Sequence, residues 1–373
     1  LKHKLPDLVN EKTNYQLSLK DFDINLFKGN ISANELVIKT KPTKDTTVTQ
    51  INGTIKCLNV ENFGIWKAIF NTSYHADDIS LIDPQITVLI GKSKEKNKSP
   101  KKNVDFGVKN ILVTNGNFSV KGSNKKDLFN GKNVNINLTE ISQKNDVSML
   151  PVAYKNFKID AQDIVITVNE FYQIFTKKID AKNKQFTISE FHLKPIENPY
   201  LYNAKNVFDF KVNQLSAHNF AIEEDSLIIE NAKFGKPQLI VTSTNKKTVK
   251  ENQKEINLKI GIKNLDLQEG SVLIQQQDKT KTASIDNFHV NLKDIVFDKI
   301  TVKEKLPFKF STHNVEFKNI YFKANPLQEV SVKKISSNNS DIFITNAEFR
   351  ALGKSNSKDV YNIKTDKIEI LNN

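Results

Sequence analysis

Apolar and polar residues alternate along most of this chain with a period of two, and the alternation slips phase at intervals. In Phe106-Gly107-Val108-Lys109-Asn110-Ile111-Leu112-Val113, positions 106 and 108 are apolar in one phase and 111 and 113 in the other. A period of two puts successive side chains on opposite faces of a strand. The slip therefore predicts a β-bulge at Lys109-Asn110 that carries an extra residue, returns Ile111 and Val113 to the apolar face and bends the strand. Asn115-Gly116 then predicts the positive-φ turn of a hairpin, with Phe118 and Val120 opening the return strand.

The same phrase recurs 154 residues further on, from Ile260 to Ile274. Gly107, Lys109, Asn110 and Gly116 are matched by Gly261, Lys263, Asn264 and Gly270, and every in-phase apolar position stays apolar. Asn133 to Ile141, read as the hairpin partner, returns as Asn287 to Ile295, and Pro84-Gln85-Ile86-Thr87-Val88 returns as Pro237-Gln238-Leu239-Ile240-Val241. The chain is an internal duplication. We divide it into an N-terminal helix and opening hairpin (1–50), a first β-repeat (51–200), a second (201–350) and a C-terminal strand or partial repeat (351–373). The fold class expected is mostly β: one or more elongated, curved antiparallel sheets built from tandem repeats, either an open groove or sandwich-like, with a few short capping helices.

Three stretches depart from strand periodicity. Pro6 suits the first turn of a short helix within residues 1–18. Phe63-Gly64-Ile65-Trp66-Lys67-Ala68-Ile69-Phe70 takes a helical period, which places its aromatic face at an end of the sheet and Trp66 in core packing. Glu170 to Phe175 is a second helical candidate. Pro84 interrupts the strand that carries Ile79, Leu81, Ile86, Val88 and Ile90. The lysine-rich run from Lys92 to Asn103, echoed from Asn245 to Lys250, has two readings: a solvated loop, or a basic edge that leans on anionic lipid headgroups.

Composition narrows the chemistry. The net charge is +13, yet Arg350 is the sole arginine. Bidentate recognition of phosphates and bases relies on arginine, so the charge speaks for solubility or an anionic surface and against nucleic acid. The single cysteine, Cys57, excludes an intrachain disulfide. The six histidines have no metal-ligand spacing, and no phosphate loop, dinucleotide fingerprint or nucleophile elbow occurs. Asp77-Asp78 reads as a turn or helix cap. We expect no enzyme, no cofactor and no metal. No apolar run reaches the roughly 18 residues of a membrane span. The chain starts at Leu1, so a preceding segment is expected that could hold a span or signal.

The stretches Leu26 to Ile38 and Ile79 to Val88, with the unit around Val108, resemble the AsmA-like family of bacterial envelope proteins. That resemblance implies a periplasmic body tethered to the inner membrane by an N-terminal helix, with long sheets rolled into an open groove. It further implies a non-enzymatic part in phospholipid movement between membranes or in outer-membrane maintenance. The groove would be lined by Ile111, Val113, Phe118 and Val120 and by their echoes Leu265, Leu267, Val272 and Ile274. The partner expected is phospholipid or another acyl-chain lipid, since carrying acyl chains through water costs about 0.8 kcal/mol per methylene. The competing reading takes these residues as the filling of closed sandwiches in a structural or adhesive β-repeat protein that binds partners through its loops.

Overall fold

The computed structural model describes residues 10–11, 13–71, 73–92, 105–143, 152–198, 204–223, 226–244, 259–301, 304, 308–352 and 361–371. The expected helix around Pro6 and both lysine-rich runs lie largely or wholly outside the described residues. The chain is nearly all β and divides into two compact units, Leu1–Val168 with Thr176–Asn183, and Asn169–Phe175 with Lys184–Asn373.

In the first unit β3 (Asn30–Thr40) pairs with the short strands β1 (Tyr15–Ser18) and β2 (Asp21–Asn25) on one edge and with β4 (Gln50–Glu61) on the other. A helix, α1 (Ile65–Asn71), leads into β5 (Ser73–Ile82), which is followed by β6 (Gln85–Leu89). Both strands pair antiparallel with β4 and parallel with β7 (Asp105–Lys121). β8 (Asp127–Gln143) follows β7 antiparallel, and it pairs in turn with the two-residue β9 (Val152–Ala153) and with β10 (Asn156–Thr167). β11 (Tyr172–Lys182) is divided between the units.

The second unit repeats this order with β12 (Gln185–Pro195), β13 (Asn206–Glu223), β14 (Ser226–Gly235), β15 (Gln238–Ser243), β16 (Lys259–Gln276), β17 (Lys281–Phe297) and β18 (Thr312–Asn325). β14 and β15 pair antiparallel with β13 and parallel with β16, as β5 and β6 do with β4 and β7. β19 (Gln328–Asn338), β20 (Asp341–Ala351) and β21 (Ile363–Leu371) complete the unit. Among the described strands the pairing is thus antiparallel except where each copy brings a broken strand parallel to β7 or β16.

Neither phase slip of β7 has the expected cause. β7 runs straight through Asn115-Gly116. A two-residue hairpin turn of this kind needs consecutive positive-φ residues, whereas Asn115 has φ 56° and Gly116 is not in the left-handed region. One left-handed residue between extended ones shifts the side-chain phase by one position without reversing the chain. Phe118 and Val120 therefore continue β7 and do not open a return strand. At Lys109-Asn110 no residue is inserted either: Val108 pairs with Ile141 and Asn110 with Thr139, in unbroken register. The left-handed residue is on the facing strand, at Glu140 (φ 51°).

These residues line up across neighbouring strands. In the first unit one row contains Glu35, Asp83, Asn115, Asn133 and Asp163, and a second contains Asn62 and Glu140. In the second unit the rows contain Glu190, Lys236, Glu269, Asn319 and Asn346, and Asn219 and Asp294. At the row positions Asn34-Glu35, Thr114-Asn115, Lys132-Asn133 and Lys293-Asp294 two successive residues are exposed, and the residue on each side of the pair is buried. Each row is a crease that turns two polar side chains outward and draws the flanking apolar ones together on the other face. β3, β12 and β20 all carry their left-handed residue at the sixth position (Glu35, Glu190, Asn346), so β20 begins a third copy of the pattern.

Polar side chains hold the creases. In the first row Asn115 Nδ2 donates to Asp83 Oδ1 at 2.7 Å, and Lys177 pairs with Asp163 at 2.8 Å. In the second row Asp77 accepts from Asn62 Nδ2 at 2.9 Å and pairs with Lys109 at 2.7 Å. The second copy reproduces this with Glu230, which accepts from Asn219 at 2.8 Å and pairs with Lys263 at 3.0 Å. Asp77 and Asp78 are accordingly mid-strand partners of Lys109 and Asn110, and not a turn or a helix cap. At Pro84 and Pro237 the broken strand keeps its ladder, because each proline carbonyl still accepts from β7 or β16, at 2.7 and 2.8 Å.

α1 forms where the helical period predicts it, but Trp66 is 57% exposed and stacks on the exposed Phe70 at 6.3 Å, so it is not packed in the core. The second helical candidate is a bend at Glu170 and Phe171 leading into β11. There Asn169 Oδ1 accepts from the backbone N–H groups of Phe171 and Tyr172, an Asx turn that outcompetes a helix too short to stabilise itself.

Two tests follow from the creases. Asn115→Gly preserves the left-handed conformation and loses only the hydrogen bond to Asp83, about 1 kcal/mol, whereas Asn115→Val loses that bond and also forces a β-branched residue into the left-handed region, at a further cost of about 1–3 kcal/mol. Thermal melting followed by circular dichroism separates the two, and equal melting temperatures would refute the crease. The second test is acid. Lys318 and Lys334 hold the Glu316 carboxyl down to about 2, and Lys109 and Lys263 lower those of Asp77 and Glu230. Depressed carboxylates stabilise the fold above their unfolded values and cease to do so as pH falls through their folded values. The melting temperature should therefore decline between about pH 4.5 and 2, and Glu316→Gln should flatten part of that decline.

Candidate functional site

The creases leave each unit with one apolar face. On β7, Ile111, Val113, Phe118 and Val120 point to it. Ile111 is flanked in the ladder by Ile79 and Leu138, Val113 by Leu81 and Ile136, Phe118 by Ile86 and Gly131, and Val120 by Val88 and Phe129. On β16, Leu265 lies between Ala232 and Leu292, Leu267 between Phe234 and Val290, Val272 between Leu239 and Ile285, and Ile274 between Val241 and Ala283. The four candidates of each copy are thus brought onto one face of one strand, inside a continuous apolar field. The field also takes in residues that the sequence pattern did not single out, among them Phe129, Ile136 and Ile159 around Val134, Ala161 and Ile164. Ile136 alternates with Asn135 and Asn137 in the strand read as the hairpin partner, whereas Phe129 is placed by its pairing with Val120.

The packing is along the sheet. The cluster of Val134, Ala161 and Ile164 gathers Phe118, Phe129, Ile136, Ile159 and Ile179, all from β7, β8, β10 and β11. The cluster of Ala217, Ile229 and Ala232 gathers residues of β12, β13, β14 and β16, Leu265 among them. Val113 is buried, but the other seven candidates are only half-buried. Among the described residues Phe288, 8% exposed, is the one phenylalanine that is fully buried. In a closed sandwich the large side chains of the inner faces interdigitate and are sealed. Here the residues that flank the creases are sealed, Leu36, Ile164, Leu292 and Ile295 among them, while most of the large side chains between the creases stay partly open.

The repeated glycines belong to this face. A Cβ on Gly270 would meet the Phe288 ring at 2.1 Å, and one on Gly116 would meet the Phe118 ring at 2.5 Å. Gly116 pairs with Val134 and Gly270 with Phe288. In the first copy the covering ring comes from β7 itself and its partner is the smaller Val134; in the second, β17 supplies Phe288 and β16 carries the smaller Val272. The pair Phe118/Val134 has become Val272/Phe288, an exchange that keeps volume over the glycine nearly constant. Space under a ring, not freedom in φ, is what requires glycine at both positions.

The opposite face is polar. It bears the ion pairs of the creases and the cross-strand pairs His192–Asp209 at 2.9 Å and His289–Asp266 at 2.7 Å. A shallow depression of about 390 Å³ is lined by Leu112, Val113 and Ile136 together with the polar Thr114, Asn135, Asn137, Lys158, Asp160 and Asp180. Lys109 and Lys263 hold the carboxyls of Asp77 and Glu230 below the usual range, so both act as permanent anions of the crease. Among the described residues no group of three His, Cys, Asp or Glu side chains is placed to hold a metal ion, and no helix is long and apolar enough to cross a membrane.

Gly270→Ala should cost about 1–3 kcal/mol by forcing the Phe288 ring out of its place, and Phe288→Val in the same chain should recover part of that loss. Chemical denaturation of the two variants checks it; a double variant no better than the single one would disprove the covering role. No family model, curated protein or solved structure matches the chain.

Proposed function

We propose that this chain shelters the acyl chains of a phospholipid, or of a similar lipid, on the apolar faces of its two repeats and so contributes to lipid movement between membranes or to upkeep of an outer membrane. One observation carries the reading: an apolar field in each repeat in which most of the large side chains away from the creases are left half-buried. Completing the burial of a half-exposed leucine or phenylalanine is worth about 1 kcal/mol, and each methylene taken out of water adds about 0.8 kcal/mol. An acyl chain laid along the field gains on both counts, while its headgroup stays in water. The work needs no catalytic group. The sequence likeness to the AsmA-like family favours the same role and a periplasmic, membrane-tethered setting.

The test is native mass spectrometry with lipid extraction on protein purified from a bacterial envelope. Phospholipid should co-purify, and aspartate in place of Val113, Phe118 or Val272 should reduce loading at least tenfold, since a charge in the field is costly to desolvate. A folded wild-type protein that carries no lipid under any extraction condition would refute the reading in favour of loop-based partner binding.

A further inference from the structure

The first repeat carries a cluster of exposed aromatic rings that its fold does not require. Phe27 is 102% exposed, Phe70 74% and Trp66 57%. Phe27 belongs to the connection between β2 and β3, and Trp66 and Phe70 to α1, between β4 and β5. These two connections are fastened together at one end of the strands. Phe63 N–H donates to the Gly29 carbonyl at 2.9 Å, and Gly29, with φ 68°, has no room for a Cβ against the Phe63 backbone. Asn25 Oδ1 accepts from Lys28 N–H and fixes the turn, while Ile65 is buried and anchors the helix.

The other repeat shows what the fold needs at these places. Where β2 and β3 are joined by Leu26-Phe27-Lys28-Gly29, the equivalent strands β11 and β12 are joined by Asn183-Lys184, and β19 and β20, where the pattern begins again, by Asn339-Ser340. Where β4 and β5 are joined by eleven residues that include α1, β13 and β14 are separated by two. The rings are therefore additions to the first copy, held in place and left open. Monomeric proteins seldom expose apolar clusters without using them. Trp and Phe beside Lys28 and Lys67, with no acidic residue in either 26–29 or α1, make the composition that favours an anionic membrane interface.

We propose that this tip, formed by the Phe27 turn and α1, inserts its rings into the interface of an anionic lipid bilayer. The inference stands apart from lipid sheltering on the sheet, and each can fail without the other. Trp66 is the single tryptophan of the chain, so its fluorescence reports the tip alone. Vesicles of phosphatidylglycerol and phosphatidylethanolamine should shift its emission to the blue, and brominated acyl chains should quench it. Phe27→Ser and Phe70→Ser should each lower partitioning by roughly tenfold, the loss expected from one ring leaving an apolar phase. Their melting curves should be unchanged, because both rings are solvated in the fold. Val113→Asp, directed at the sheltering face, should leave the Trp66 response intact.

Emission and quenching that do not respond to vesicles would overturn the proposal. So would Phe27→Ser and Phe70→Ser variants that partition as the wild type does. Self-association without vesicles that Phe70→Ser abolishes would overturn it too, and would make the tip an interface between copies of this chain.

Discussion

Everything in this structure depends on single left-handed residues placed in rows across long strands. A strand of seventeen residues with strict alternation stays one gently twisted ribbon. One residue at φ near 50° shifts the side-chain phase, so that two successive polar groups face outward and the apolar positions on either side, now three apart, face inward together. Repeated on neighbouring strands, with local register shifts at Gly116 and Gly270, the change of phase becomes a crease. The residues that accept it are Asn, Asp, Glu and Lys, for which the left-handed region costs on the order of 1–3 kcal/mol when the side chain has no local compensation. The cross-strand pairs offset that cost: Asn115 with Asp83, Lys109 with Asp77, Lys263 with Glu230.

That constraint also decides which side chains are sealed. Ala161 and Ile164, flanking Asp163, are 3% and 2% exposed, and Leu292 and Ile295, flanking Asp294, are 7% each. Between and beyond the creases the apolar face opens, and its leucines, isoleucines and phenylalanines have neighbours along the sheet but no second layer in their own clusters. Burial beside the creases supplies folding free energy that a sandwich would draw from face-to-face packing, and the rest of the face stays partly solvated.

Much of this was legible in the sequence. The 154-residue repeat, the face shared by Ile111, Val113, Phe118 and Val120, and the helix around Trp66 could all be read from spacing. The reading failed where one local signal serves two geometries. Asn-Gly marks a hairpin turn, and Asn before Gly equally marks a lone left-handed residue beneath a ring; only the partner strand distinguishes them, and Val134 against Gly116 is not a contact that alternation can show. The parallel pairing of β5 with β7 was equally hidden, since a parallel neighbour leaves no mark on the alternation of either strand. Trp66 was misplaced because burial was assigned by residue type, whereas the rings of α1 point away from the sheet that Ile65 anchors.

The differences between the two copies show which features the fold enforces. The row chemistry is kept even where residues change: Asn62, Asp77 and Lys109 become Asn219, Glu230 and Lys263, with the same donors and acceptors. The ring over the glycine is kept even though it moves from β7 to β17. The exposed rings of the first copy are not kept: where Phe27 would recur, two polar residues close the turn, Asn183-Lys184 between β11 and β12 and Asn339-Ser340 between β19 and β20. A feature that survives exchange of its parts is one the sheet cannot lose, and a feature that one copy drops entirely is free to serve something outside the sheet. By that criterion the creases and covered glycines belong to folding, and the aromatic tip belongs to whatever the first repeat meets.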